Sequence, residues 1–286
     1  MIVWIASAAR SGNTFFRVVM HHLYGVNTYA VFNAGEVLVT AGAGGLVGHE
    51  KLPTQLKVAV ESGEPEQIRV ALNELEAMKE LFVFKTHAFS EDLFGTACRA
   101  ILIVRDGRDA LVSRANYSVD IRFDATALKH RIGKMTKSKS ELLDRRTWVY
   151  IGKALVMAAA RKGFHRRMVS RRIDRLLQGD PKHPEANWTE MNRSWLEREP
   201  QPVIVYFNDL IRDPIATVTG AVDKLGIGLV PRATSSMPSF AELKKRYPNF
   251  FRKGISGDWR NQFSSRQAEL FRAKHQAMMD ALKFPL

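Results

Sequence analysis

Four short apolar runs, each closed by a polar cluster, constrain this chain more than any other feature. Ile2 to Ala6, Leu81 to Phe84, Ala100 to Val104 and Val203 to Phe207 stay apolar for four or five residues, without the alternation of a half-buried strand. Such runs suit strands covered on both faces, as in a parallel sheet between helical layers. Ser7 to Thr14, Lys85-Thr86-His87, Arg105 to Asp109 and Asn208-Asp209 follow them. The polar clusters therefore fall at strand carboxyl ends, where open α/β sheets gather their ligands. The expectation is an α/β fold of three layers around a central, mostly parallel sheet, with residues 1–286 forming a single domain.

Composition narrows the class. Five Trp and sixteen Phe among 286 residues exclude disorder and supply a core. A single cysteine, Cys98, excludes an intramolecular disulfide. No apolar run reaches the ~18 residues of a membrane span, since Val149 to Ala160 is short and carries Lys153. Ile2 to Ile5 read as a strand rather than a signal peptide, so a cytoplasmic location is expected. On that view the glycosylation-like triplets at Asn116, Asn187 and Asn192 carry no meaning.

Charge is the anomaly, at +14 with a pI near 10. It favours an anionic partner, whether nucleic acid, a membrane face or a phosphorylated small molecule, or else a solvated basic surface. Seventeen Lys and Arg against five Asp and Glu lie in Ile121 to His183, which therefore holds twelve of the fourteen surplus charges. Within this basic helical insert Phe164, Met168, Val169, Ile173, Leu176 and Leu177 recur at helical spacing. Arg166, Arg167, Arg171, Arg172 and Arg175 fall on its other faces. Ala41 to Gly45 reads as a flexible loop, with a lid hinge as the functional alternative.

Four clusters suit anions. Arg10-Ser11-Gly12-Asn13-Thr14 lies between the first strand and a helical pattern from Phe15 to Tyr24, an arrangement that aims free backbone N–H groups at a phosphate. This P-loop-like turn lacks the second Gly and the Lys of a nucleotide-hydrolysing loop. Lys85-Thr86-His87 sets a cation and an imidazole at a strand end, suited to acid–base chemistry or to a structural histidine. Arg105 leaves its strand toward the same rim; Asp109 is expected to cap the following helix, which carries Ser113, with an Arg–Asp ion pair as the plain alternative. Arg252-Lys253-Gly254 is a compact anion trap near the carboxyl end.

Together these clusters resemble the sulfotransferase family that uses 3′-phosphoadenosine 5′-phosphosulfate (PAPS). The family's phosphosulfate loop is similar to Arg10 through Phe15, and its histidine strand to Lys85-Thr86-His87. Its 3′-phosphate element is similar to Val104 through Ser113, and its C-terminal loop to Arg252-Lys253-Gly254 with Gly257-Asp258-Trp259. Weaker likeness extends over Trp188 to Trp195 and Phe207 to Leu210, all in the family's order.

The resemblance implies sulfuryl transfer from PAPS, with PAP as product, to a hydroxyl or amine, His87 serving as general base. Arg10 and Lys85 would balance charge on the leaving 5′-phosphate, held also by the Gly12 to Thr14 backbone. Arg105, Ser113, Arg252, Lys253 and Gly254 would clamp the 3′-phosphate. Phe15 and Phe240 would stack on adenine, and Phe207 stands where relatives often carry a nucleotide-binding Tyr. No metal is implied, and the sequence holds no Cys/His ligand cluster.

This chain departs from the family in Ala8-Ala9 before the basic residue, and in Arg10 where Lys is common. Ser264-Ser265 erodes the dimer pattern of animal members, leaving the oligomeric state open. A small-molecule, lipid or glycan acceptor is expected, and the insert is suited to an anionic membrane surface. The rival readings are a small-molecule kinase with a P-loop-like turn and a protein binding nucleic acid or an anionic surface. The first lacks its lysine, and the second lacks interleaved aromatics, so no nucleic acid is expected.

Overall fold

All six residues of strand β1 (Ile2–Ser7) are buried, and they divide between two cores. Ile2, Trp4 and Ala6 face one and Val3 and Ile5 the other, as the two-residue period of a strand requires. The computed structural model describes residues 1–31, 43–90, 98–122, 145–159, 161–179, 187–232, 237–248 and 250–285. Among these, β2 (Thr28–Ala30), β3 (Phe82–Thr86), β4 (Arg99–Val104) and β5 (Val203–Tyr206) join β1 in a sheet of order β2-β3-β1-β4-β5. Every pairing in it is parallel.

Helices cover both faces. Taken in chain order, they are α1 (Asn13–Tyr24), α2 (Thr54–Ser62), α3 (Pro65–Ala77), α4 (Gly107–Arg122), α5 (Arg145–Ala159), α6 (Arg161–Gln178), α7 (Trp188–Leu196), α8 (Phe207–Arg212), α9 (Pro214–Leu225), α10 (Phe240–Arg246) and α11 (Ser265–Ala281). Leu72 of α3, Val112 of α4, Ile173 of α6, Trp195 of α7 and Phe271 of α11 pack with Trp4 on one face. Phe16 of α1, Leu210 of α8 and Val222 of α9 pack with Ile5 on the other. The three-layer α/β reading is therefore the observed architecture. From β1 the chain proceeds to β2 on one side, and from β4 to β5 on the other. The crevice at the carboxyl ends of β1 and β4 is thus a topological switch point.

Local boundaries differ where backbone pairing outweighs side-chain polarity. Lys85 and Thr86 belong to β3, because Ile5 and Ala6 pair with them. Phe207 leaves β5, whose last pair is Val104 with Tyr206, and opens α8 instead. The edge strand β2 has three residues and no sequence signal of its own. In α6 the expected stripe is realised: Val169, Ile173 and Leu177 are buried, with Met168 and Leu176 packed beside them. Ala41 and Gly42 of the proposed hinge lie outside the described residues, whereas Ala43 is buried and Gly44–Val47 form a 3-10 turn. Asn116 and Asn192 are buried, each giving Nδ2 to the carbonyl four residues back, and the Asn187 side chain caps α7.

One buried imidazole makes the core sensitive to acid. His275 of α11 meets Thr189 Oγ1 at 2.7 Å through Nδ1, with its ring 4.6 Å from Phe271. Burial, then Lys274, pushes its pKa down from 6.5 to about 4. Above pH 6.5 neither folded nor unfolded chain holds this proton; as pH falls toward 4, the unfolded chain takes up a proton that the fold refuses. Stability should therefore drop by up to roughly 3 kcal/mol from this group. Urea unfolding at pH 7 and pH 4.5 checks it: His275→Gln should show a shallower loss than the parent, and equal losses would contradict the assignment.

Candidate functional site

The crevice at the switch point opens into a cavity of about 530 Å³. Its floor is the turn from β1 into α1. Ser11 N–H donates to Ala8 O at 3.2 Å, and Gly12 reaches φ 106° as the residue preceding α1. A Cβ on Gly12 would lie 2.7 Å from the Phe207 ring, so both conformation and space require glycine here. No side chain caps α1. The N–H groups of its first turn, which lack intrahelical partners, are left for a ligand where Gly12 to Phe15 line the cavity.

Not every residue of this turn faces the cavity. Ser11 is fully buried with its Oγ unbonded and is not part of the lining. Asn13 Nδ2 donates to Ile5 O at 3.0 Å and Ser7 Oγ at 3.3 Å, lacing the turn to β1.

Two arginines meet at this floor, Arg105 buried and Arg10 half-buried. Arg10 takes a left-handed φ of 72°, donates from Nη2 to Phe250 O at 2.7 Å and stacks 4.4 Å over Tyr117. Its Nε lies 3.4 Å from Ser113 Oγ. Arg105, just beyond β4, donates to Arg10 O at 3.0 Å and Ile255 O at 3.1 Å, and stacks 4.2 Å over Phe207. Its Nε is buried and unbonded. Both guanidinium pKa values are pushed down to about 10, chiefly by burial; Arg252 adds to both and Arg10 to that of Arg105, while Tyr117 and Asp120 oppose it at Arg10 and Asp109 and Asp106 at Arg105. They remain cations at neutral pH.

The next wall is β3 and the residue after it. Lys85 and His87 both line the cavity. His87 Nδ1 is 2.7 Å from Ser7 O, and since a carbonyl only accepts, Nδ1 carries the proton. Burial first, then the charge of Lys85, holds His87 well below the usual imidazole value, against the hydrogen bond to Ser7, with Arg114 and Arg17 adding to the depression. The ring is therefore neutral at pH 7, with Nε2 available as a base.

Helix α4 forms the third side. Asp106, rather than the expected Asp109, caps it: its Oδ1 accepts from Arg108 N–H at 2.9 Å and its carboxylate pairs with the Arg108 guanidinium at 2.6 Å. Asp109 reaches across to the C-terminal loop, accepting from Gly257 N at 2.6 Å and Trp259 N at 3.0 Å. Two donors on that loop outcompete a cap on its own helix. Ser113 and Tyr117 line the cavity as an i, i+4 pair, and so do Arg114 and Ser118.

That C-terminal loop brings Arg252 and Lys253 to the rim. Asp258, buried between them, pairs with Arg252 at 2.9 Å and Lys253 at 2.6 Å. Burial alone would raise its pKa, but the two cations bring it below the usual value. Gln262 Nε2 donates to Asp258 at 2.9 Å and is itself held by Asn116. Gly254 has φ 63°, and a Cβ there would fall 2.5 Å from the Phe240 ring. Phe15, Phe240 and Phe251 meet edge to face beside it.

The structure thus gathers Arg10, Gly12, Asn13, Thr14, Phe15, Lys85, His87, Arg105, Ser113, Phe207, Phe240, Arg252, Lys253 and Gly254 in one cavity. Arg114, Tyr117, Ser118, Phe250, Phe251 and Arg172 of α6 line it as well; of these, sequence reasoning gave no sign of Arg114 and did not single out Arg172 within the basic insert. The i, i+4 spacing from Ser113 to Tyr117 was the one available signal for the α4 residues; nothing in the sequence singles out Arg172 among the arginines of its helix. No Asp or Glu lines the cavity among the described residues.

The chain is similar to known proteins along its length. Residues 2–283 match the family model described as the sulfotransferase domain. A 3-alpha-hydroxysteroid sulfotransferase of Cavia porcellus is 33% identical over 114 residues, covering 33% of this chain and 40% of that protein. Sulfotransferase 2A6 of Rattus norvegicus is 22% identical over 205 residues, covering 65% of this chain and 58% of that protein. Both matches thus span less than two thirds of the relative. The mouse sulfotransferase SULT7A1, solved in complex with PAP, shares the fold with a TM-score of 0.52 and 18% identity, over 99% of this chain and 88% of that one.

Gly12 offers a test of the cavity floor. Gly12→Ala adds a Cβ to a left-handed turn and drives it into Phe207. It should destabilise the protein by about 1–3 kcal/mol in urea unfolding, and an unchanged midpoint would contradict the described turn.

Proposed function

Because residues 2–283 match its domain model, this chain belongs to the sulfotransferase family, and on that premise we propose that it moves a sulfuryl group from PAPS to an acceptor hydroxyl or amine. The observation that carries the reading is a neutral imidazole set in a cavity otherwise ringed by cations, at the carboxyl end of a parallel sheet. The donor set also fits a nucleotide with anionic groups at both its 3′ and 5′ ends. Arg105 Nε and Arg252 Nε are buried without partners, and α1 offers uncapped N–H groups, which an anion's oxygens would satisfy.

When bound, PAPS supplies an activated sulfuryl group on a good leaving phosphate. The 5′ end is assigned to Arg10, Lys85 and the Gly12 to Thr14 backbone, and the 3′-phosphate to Arg105, Ser113 and the Arg252 to Gly254 loop. Asp258 keeps Arg252 and Lys253 side by side, so little reorganisation is needed when an anion arrives. The assigned adenine neighbours are Phe15 and Phe240, and Arg105 orients Phe207 by stacking on it. His87 takes the acceptor's proton at Nε2 while Ser7 O fixes the tautomer through Nδ1. Arg10 cannot release a proton near neutral pH, so its role is electrostatic.

Thermal shift tests the donor. At a hundredfold excess over its Kd, PAP should raise Tm by about 5 °C, whereas ATP with Mg²⁺ should not; the reverse pattern would favour the kinase reading. His87→Ala should keep the PAP shift and lose at least ~100-fold in turnover of labelled PAPS with an accepted hydroxyl compound. Because His87 is neutral down to below its usual value, the acid limb of kcat/KM should lie below pH 6.5. A limb above pH 7 would mean that another group is the base.

A further inference from the structure

Arg10 occupies a left-handed turn, with φ 72°, between β1 and α1. Its side chain leaves that turn and meets α4 and the C-terminal loop. A long, flexible stem separates the charge from the backbone, so the guanidinium is placed by what it touches at its far end.

Edge and face of the group are held differently. Along the edge, Nη2 donates to Phe250 O at 2.7 Å, while Nε lies 3.4 Å from Ser113 Oγ, beyond the length of a good hydrogen bond. The face lies 4.4 Å from the centre of the Tyr117 ring. Stacking of this kind draws on the π cloud and consumes no N–H donor. Tyr117 therefore fixes the plane of the guanidinium and leaves its edge for hydrogen bonds.

Tyr117 also braces the other partner. Its ring is 5.9 Å from that of Phe250, tilted by 57°. Phe250 is fixed in turn by a turn after α10, where the N–H groups of Phe250 and Phe251 both donate to Tyr247 O at 3.0 Å. One side chain thus touches both residues of the Arg10–Phe250 hydrogen bond. It stands on α4 one turn beyond Ser113, and Val112 and Ala115 anchor that helix in the core. The ring is carried by a rigid element, as a group that orients another must be.

Resting on the PAPS reading, we propose that Tyr117 is a positioning residue of the donor site, holding Arg10 in the plane from which its guanidinium grips the anionic group at the 5′ end of the nucleotide. Without the ring Arg10 keeps its charge but loses its fixed orientation, and the 5′ group loses a pre-organised partner. The 3′-phosphate loop has supports of its own, since Arg105 donates to Ile255 O and Asp258 pairs with Arg252 and Lys253. The effect is therefore confined to one end of the nucleotide.

Isothermal titration with PAP and with adenosine 3′-phosphate, which lacks the 5′ group, reads this without any acceptor. The parent should bind PAP about a hundredfold more tightly than adenosine 3′-phosphate. Tyr117→Leu should lose about tenfold in PAP affinity while adenosine 3′-phosphate changes by less than about threefold. Tyr117→Phe keeps the ring and should leave both within about threefold. In the Arg10→Gln protein no cation remains to be positioned, and Tyr117→Leu should cost PAP less than about threefold there.

If the parent does not bind PAP, the donor reading fails and this inference with it. If the parent prefers PAP and Tyr117→Leu leaves that preference intact, the inference alone is overturned, and Tyr117 is a wall of the acceptor space. A parent that binds both nucleotides equally overturns it as well, because Arg10 then does not read the 5′ end. So do equal losses for the two nucleotides, which mark a merely structural residue, or an undiminished cost in the Arg10→Gln protein. Should Tyr117→Leu fail to fold, Tyr117→Met, which also lacks a ring, is titrated in its place.

Discussion

Buried guanidinium groups must find acceptors, and in this protein the acceptors are main-chain carbonyls brought from far along the chain. Arg105 donates to the carbonyls of Arg10 and Ile255, and Arg10 donates to that of Phe250. These bonds knit the β1–α1 turn, the end of β4 and the C-terminal loop into one floor. The cost is visible in the lowered pKa of both arginines, where burial disfavours a charge that no adjacent carboxylate fully balances. Removing either guanidinium would therefore disturb the floor's construction as well as its charge.

The scaffold around this floor supplies rigidity through apolar packing and a few aimed hydrogen bonds. Trp188 donates to Arg105 O at 3.1 Å while its ring packs with Phe271 and His275. The strand end is thereby fixed from α7, and α7 from α11. Asp109 and Asp258 do the same for the C-terminal loop: one holds its backbone and the other its cations. Among the described residues no carboxylate lines the cavity, yet Asp109 and Asp258 sit directly behind it, where they position the C-terminal loop and its positive charge. Such an arrangement suits anionic ligands in general, and the neutral His87, the proposed base, lies beside it.

The basic stretch divides into two kinds of residue. Its apolar side, through Val169, Ile173 and Leu177, belongs to the core. Its arginines are mostly turned outward, with Arg172 the exception. Among the described residues of this segment, Arg172 is the cation that lines the cavity, and its position depends on how α6 lies against α4. Arg166, Arg167, Arg171 and Arg175, the exposed described arginines of α6, form a basic exterior.

Fold class was legible in the sequence because uninterrupted apolar runs with polar ends are hard to satisfy in any way but a buried parallel sheet. That Arg10, Gly12, Lys85, His87, Arg105 and Arg252 to Gly254 would meet at one cavity was legible too, since each is adjacent to the strand end or glycine turn that aims it. Partnerships across the chain were not. That Asp109 serves a loop 148 residues away rather than its own helix, that Asp258 pairs with both cations, and that Ser11 turns away from the cavity all depend on which elements meet. Local propensity reports backbone preference and burial tendency along a segment. Which arginine of a basic helix faces a site is decided by helix–helix register, and so only the tertiary structure brought Arg172 to the cavity.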